Sequence, residues 1–378
     1  MMKKKRTSGW ALFTSISLAL FVAMLSIGGT GAFKSFLNFQ SKSQAPVVSI
    51  SRVVPDVLPP HSRSDLERGM ATSVWTKDGY NRNNPAYDQV LGDIYPQTKA
   101  TWISMQVSFS QPTDSSTAIQ GGSPTLQSFT AGIQAAREVG YSIFFEPLIT
   151  VSGGSDRWAG HIAPQTVQEE ALWFQNWFHS LQPYILAAQK GGVQQLAVGT
   201  ELEWMQYHAP ATIWTQFISQ VRSLFTGNLL YDTNWDFAQS GLPYPSWFRS
   251  LDLKAIGVST YLPLIKTRAT IAADQAASLW DIQVRKPLDA LSEAIKKPVV
   301  LSEFGYRDTS DAGYHPFEYI STLPHDGQEQ SILFDAALPD IISDHHIMGV
   351  FLWSWSNAAR FSLLGQPALA VIARWYSM

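Results

Sequence analysis

Gln194-Gln195-Leu196-Ala197-Val198-Gly199-Thr200-Glu201 and, far downstream, Lys297-Pro298-Val299-Val300-Leu301-Ser302-Glu303 decide how this chain reads. Each is a short apolar run bounded by turn-forming residues and closed by a glutamate, the pattern of a buried parallel strand that delivers a carboxylate at its carboxyl end. Six further runs share that character: Gly69–Trp75, Thr101–Phe109, Tyr141–Thr150, Asn228–Asn234, Leu253–Tyr261 and Met348–Trp355. Helical periodicity falls between them, at Leu126–Val139, Val167–Gln189, Ala211–Phe225, Pro287–Ile295 and Gly327–Ser343. Eight strands alternating with helices predict a single (β/α)₈ barrel. Neither GxGxxG nor GxxxxGK[ST] occurs, which argues against a nucleotide-binding doubly wound sheet.

The chain of 378 residues is 45% hydrophobic and 15% charged, so it can bury a large core. A net charge of −3 without a basic block beyond the first residues excludes a nucleic-acid partner. The absence of cysteine excludes disulfides, thiolate metal sites and a lipid-modified cysteine. Lys3-Lys4-Lys5-Arg6 followed by an apolar stretch from Trp10 to Ile27 reads as a signal peptide or signal anchor over residues 1–32. Residues 33–62, with Val54-Pro55-Asp56 and Leu58-Pro59-Pro60, read as a flexible linker, leaving 63–378 as the folded domain. The expected setting is extracytoplasmic, membrane-anchored or secreted, with membrane contact through the N-terminal segment only and a monomeric catalytic domain.

Two carboxyl groups of unequal environment are what cleavage of a glycosidic bond requires, one to protonate the leaving oxygen and one to meet the oxocarbenium-like carbon. Strand alternation places Glu201 with Gly199 and Ala197 on the inner face, and Val198 and Leu196 toward the helices. Glu203 shares that face only if the strand continues, and otherwise supports a loop or subsite. Glu146 ends the third strand and is a candidate substrate contact. Asn234 is a candidate sugar hydrogen-bonder, and Tyr261 a donor that orients the nucleophile. Of the 14 tryptophans, Trp75, Trp158, Trp353 and Trp355 are the candidates for stacking on sugar faces. Arg307 is expected to pair with a loop acid. No HExxH spacing suggests zinc and no Gly-x-Ser-x-Gly suggests a serine nucleophile.

Val198-Gly199-Thr200-Glu201-Leu202, Leu301-Ser302-Glu303-Phe304-Gly305-Tyr306-Arg307 and Phe351-Leu352-Trp353-Ser354-Trp355 resemble strands four, seven and eight of clan A glycoside hydrolases, most nearly glycoside hydrolase family 113, the β-mannanase-type barrels. Trp158-Ala159-Gly160-His161-Ile162, Thr233-Asn234-Trp235 and Gly257-Val258-Ser259-Thr260-Tyr261-Leu262-Pro263 extend the resemblance over nearly all of the chain after Ser62. It implies a retaining glycosidase acting on a β-linked oligo- or polysaccharide, β-mannan or a related polymer, with Glu201 as acid/base, Glu303 as nucleophile and no metal or organic cofactor. Two departures lie near the expected cleavage point: Glu146-Pro147-Leu148 stands where that family carries a Lys-Pro-His type of segment, and Ala159 where an arginine is common. A non-catalytic surface glycan-binding barrel and a transglycosylase on the same residues are the alternatives.

Overall fold

The computed structural model describes residues 66–82, 85–153, 157–355 and 359–378. The signal and linker segments expected over 1–32 and 33–62 lie outside the described residues. No helix among the described residues is long and apolar enough to cross a membrane.

Eight parallel strands close into a barrel: β1 (Glu67–Ala71), β2 (Trp102–Gln111), β4 (Ser142–Val151), β5 (Gln195–Thr200), β6 (Asn228–Asn234), β7 (Ala255–Thr260), β8 (Val299–Phe304) and β9 (Ile347–Leu352). Closure is achieved at β1, which pairs with β2 through Gly69 and Trp102 and with β9 through Gly69 and Phe351. All eight sequence-predicted runs overlap these strands. A short β3 (Gln120–Ser123), absent from the sequence reading, pairs antiparallel with the end of β2 and lies outside the barrel proper.

The helices are α1 (Pro85–Thr98), α2 (Leu126–Val139), α3 (Val167–Gly191), α4 (Glu203–His208), α5 (Ala211–Leu224), α6 (Ala273–Trp280), α7 (Lys286–Ile295), α8 (Gly327–Ser343) and α9 (Ala368–Tyr376). Their ends follow from local chemistry. Thr166 caps α3 by accepting the Glu169 N–H at 3.2 Å, and the Glu169 carboxylate reaches back to the Gln165 N–H at 3.0 Å. Gly192 ends the same helix at φ 70°, a conformation open to glycine without a Cβ clash. Trp173, Trp177, Leu181, Tyr184, Ile185 and Ala188 form one stripe of α3 and are buried, as the three- and four-residue spacing dictates.

Burial divides into two layers. The larger lies between strands and helices; the smaller plugs the barrel interior with Phe144, Ala197, Leu230, Ala255, Val300 and Phe351, one from each strand from β4 to β9. Gly69 of β1 completes this ring because a Cβ there would sit 2.2 Å from the Phe351 ring, so the large residue on one strand demands none on its neighbour. Below the plug, at the N-terminal end of the strands, Glu67 is buried and accepts from Gln195 Nε2 at 3.0 Å.

Burial pushes the Glu67 carboxyl up to about 8, the Gln195 hydrogen bond and the Lys254 charge opposing it more weakly. The folded protein therefore holds a proton that an unfolded glutamate, with its ordinary value of 4.5, releases. Stability is lost as pH rises from that lower value toward 8, by at most about 1.4 kcal/mol per pH unit for this group. Glu67→Gln, which keeps the shape and removes the titration, is expected to flatten the decline. Melting temperatures of both proteins across that interval test it, and parallel curves would remove Glu67 as a cause.

Candidate active site

At the carboxyl end of the strands the backbone departs from simple alternation, and that departure aims the carboxylates. Between β5 and β6, Ala197 pairs with Leu230 but Thr200 pairs with Asp232, so β5 carries one extra residue. The carbonyl of Val198 within the bulge is taken by Trp177 Nε1 at 3.1 Å. An ideal Cβ on Gly199 would point toward Leu202 and Tyr231, members of the outer layer. The expectation that Gly199 shares the inner face with Ala197 and Glu201 is thus corrected. The bulge shifts the parity, and Glu201 reaches the interior through a left-handed φ of 52°, with its N–H bonded to the Asp232 carbonyl at 2.9 Å. A second bulge lies in β8, where Gly257 pairs with Val300 and Ser259 with Glu303.

Four carboxyl groups converge inside this rim. Glu146 (β4), Glu201 (end of β5), Asp232 (β6) and Glu303 (β8) are all buried, with Glu201 and Glu303 at 6% and 3% exposure. Trp158 Nε1 donates to Glu201 Oε2 at 2.6 Å. Tyr261 donates its hydroxyl hydrogen to Glu303 Oε2 at 2.9 Å, while Glu303 Oε1 has no hydrogen-bond partner among the described residues. Ser302 Oγ and Ser259 Oγ donate to the two oxygens of Asp232 at 2.5 and 3.1 Å. Gln106 Nε2 donates to Glu146 Oε2 at 2.8 Å. A cavity of about 10 Å³, enough for about one water, lies against Glu201 and is lined by Leu148, Thr150, Arg157 and Trp158 among others.

Burial raises all four acids. Glu303 is driven well above the usual carboxylate range by burial, then by the charges of Glu201 and Asp232, against the Tyr261 hydrogen bond. Glu201 is raised by burial, opposed chiefly by the hydrogen bond from Trp158, with Asp236 adding repulsion. Glu146 is raised by burial and by Glu303 and Asp232, and Asp232 is pushed up to about 7, chiefly by burial.

Sequence candidates distribute as follows. Glu146, Glu201, Tyr261, Trp158 and Glu303 meet in this cluster, Glu146 from the middle of β4 and not from its end as expected, because pairing with β2 continues to Val151. Asn234 is buried beside it, but its amide donates to Asp236 at 3.0 Å. Trp75 and Trp353 adjoin each other with ring centres 6.4 Å apart, and Trp353 and Trp355 are 2% and 1% exposed. Glu203 falls in the first turn of α4, because the strand ends at Thr200, and burial with the nearby Asp236 charge pushes it up to about 8. Arg307 pairs with the loop acids Asp311 and Glu318 at 3.4 Å each. Asp232, Ser259, Ser302 and Gln106 were missed by the sequence reading. The signal for Asp232 was present, an acid two residues after Leu230 on the inner face of an apolar strand. Among the described residues, Asp344, His345 and His346 bring possible metal-ligating atoms within 4.8 Å of one another, but at the N-terminal end of β9, away from these carboxylates.

The sequence profile described as Glycoside Hydrolase Family 113 matches residues 70–364. The chain belongs to glycoside hydrolase family 113. It is a glycoside hydrolase and its substrate is carbohydrate. No curated protein matches the sequence. Among solved structures, a family 113 β-mannanase from Alicyclobacillus acidocaldarius in complex with ManMIm is similar at TM-score 0.69 and 19% identity, covering 82% of this chain and 97% of that one. A family 113 β-1,4-mannanase complex is similar at TM-score 0.68 and 19% identity, covering 82% and 99%. An endo-β-1,4-glucanase from Xanthomonas axonopodis pv. citri shares the fold at TM-score 0.54 and 13% identity, covering 82% and 98%. At these identities the likeness speaks for the fold.

The Trp158 hydrogen bond favours the ionised form of Glu201, so Trp158→Phe is expected to raise the Glu201 pKa. Carbon-13 NMR titration of labelled glutamate carboxyls, assigned through Glu201→Gln, measures the midpoint. An unchanged or lowered midpoint would show that the indole does not set this charge.

Proposed function

We propose that the family 113 barrel is a retaining hydrolase of β-linked oligo- or polysaccharides, with Glu303 as nucleophile and Glu201 as acid/base. The observation that carries this is the convergence of these two buried glutamates at one rim, one with an oxygen free of hydrogen bonds and a phenol on the other. A donor on Glu303 Oε2 favours its charged form and leaves Oε1 to attack the anomeric carbon.

In the proposed reaction a bond forms between Glu303 Oε1 and the anomeric carbon as the glycosidic C–O bond breaks, and the Glu201 proton passes to the departing oxygen. The Glu201 carboxylate then takes a proton from water. The water oxygen attacks the anomeric carbon, Glu303 leaves as a carboxylate, and the sugar is released with its original configuration. Burial suits Glu201 to this double task, since a raised carboxyl retains a proton to give and can recover it.

β-Mannan is the first substrate to test, a choice supported by the two family 113 mannanase structures and weakened by Glu146 at a position where lysine is the family pattern. Trp75, half-buried beside Trp353, is the proposed sugar-facing ring, with Trp158, Trp353 and Trp355 buried around it and Asn234 and Glu146 as polar neighbours. The basic and apolar N-terminus supports an extracytoplasmic protein, membrane-anchored or secreted.

Glu303→Gln is expected to lower turnover of β-mannan by at least about 10⁴-fold with an unchanged circular dichroism spectrum. Glu201→Gln is expected to lose far less activity on a p-nitrophenyl glycoside, whose leaving group needs little protonation, than on the natural glycan. Proton NMR of the first product should show the substrate's anomeric configuration. Inverted product would overturn the double displacement, and binding without release of reducing ends from β-mannan, β-glucan or xylan would favour a glycan-binding barrel. Transfer to an added sugar acceptor in preference to water would identify a transglycosylase.

A further inference from the structure

Four buried carboxyl groups share the rim, and none of the four forms an ion pair with lysine, arginine or histidine among the described residues. Four unpaired charges cannot coexist in so small a buried volume, so protons must occupy some of these sites. The hydrogen-bond pattern tells which. Gln106 Oε1 accepts from Ser73 at 2.9 Å, while its Nε2 donates both to Ser104 at 2.9 Å and to Glu146 Oε2 at 2.8 Å. Glu146 Oε2 is thereby an acceptor. The other oxygen, Oε1, is buried without a donor, and the Asp232 carboxyl lies within hydrogen-bonding reach of the Glu146 carboxyl. Asp232 already receives hydroxyl hydrogens on both oxygens, from Ser302 and Ser259. Two carboxylates have no hydrogen to share; one proton on Glu146 Oε1 converts their contact into a hydrogen bond.

We infer that Glu146 and Asp232 hold a single proton between them beside Glu303, and that Glu146, kept neutral by it, is a positioning residue that allows Glu303 to remain ionised. This rests on the reading of Glu303 as nucleophile. The titratable groups that interact with the pair are Glu201 after β5, Tyr231 from β6, Tyr261 after β7, Glu303 from β8 and Tyr80 from the β1–α1 connection, whose hydroxyl accepts the Gln106 N–H at 3.0 Å. All are acids, so each ionisation disfavours the next. Glu303 feels the Asp232 charge, and Ser302, its neighbour in sequence, spans the two by donating to Asp232. With Glu146 neutral the pair carries one negative charge; with Glu146 ionised it carries two and drives a proton onto Glu303.

Glu146→Gln separates these roles, since its amide oxygen can accept from Gln106 and its amide N–H₂ can donate to Asp232. In the variant the alkaline limb of kcat/KM should lie at higher pH than in the wild type, whatever the height of the plateau, because the second charge cannot form. Infrared difference spectra of the unliganded full chain, wild type minus Glu146→Gln, should show the C=O stretch of a protonated carboxylic acid that moves on Asp232→Asn. In Asp232→Asn the carbon-13 midpoint of Glu303 should fall, since a neighbouring negative charge has been removed. An alkaline limb at the same pH in Glu146→Gln and the wild type would overturn the inference. Absence of the infrared band, or an unmoved Glu303 midpoint, would do the same. These two readouts need no turnover, so they decide the shared proton even if no glycan is cleaved and the proposed function falls.

Discussion

Everything at the active rim depends on desolvated carboxyl groups held close together without a compensating cation. Such an arrangement costs free energy, and it persists because the closed sheet fixes the side chains that carry it. Strand pairing of β1 with both β2 and β9 brings residues from four strands to one place, and the plug of Phe144, Leu230, Val300 and Phe351 beneath them blocks retreat into the barrel. Each acid is then handled by neutral donors. Trp158, Tyr261, Ser259, Ser302 and Gln106 all supply hydrogens to a carboxyl oxygen in the cluster. Neutral donors moderate the charge without abolishing it, which leaves the groups able to exchange protons.

The two ends of the barrel use burial differently. At the N-terminal end Glu67 is a single acid bonded by Gln195, and its cost falls on stability, rising with pH. At the C-terminal end several acids repel one another, so their titrations are linked and no one proton belongs to one residue alone. The proposed double displacement needs that linkage, since its acid/base must gain and lose a proton while its neighbour changes from anion to ester and back.

How far the sequence foretold this differs from residue to residue. The eight strands were legible because apolar runs with glycine or proline boundaries have few other uses in a chain of this size, and α2 and α8 because their three- and four-residue spacing is unbroken. Glu201 and Glu303 were legible as strand-ending acids. Inner-face parity at Gly199 was not, because one extra residue in β5 resets the alternation and nothing in Val198-Gly199-Thr200 distinguishes a bulge from a regular strand. Glu203 was open to two readings until the strand was seen to stop at Thr200. β3 escaped notice since its four residues, Gln120-Gly121-Gly122-Ser123, have neither apolar alternation nor β-branched side chains.

By itself the sequence determined the class of fold, the strand order along the chain and the two glutamates that close the fourth and seventh barrel strands, because these follow from hydrophobic period and local turn chemistry. Tertiary structure alone decided that Glu146 meets Asp232, that Trp158 bonds Glu201 and that Tyr261 bonds Glu303. Those contacts join residues on different strands and loops, so their distances are set by barrel closure, the two bulges and the left-handed turn at Glu201, none of which is encoded in any single stretch of chain.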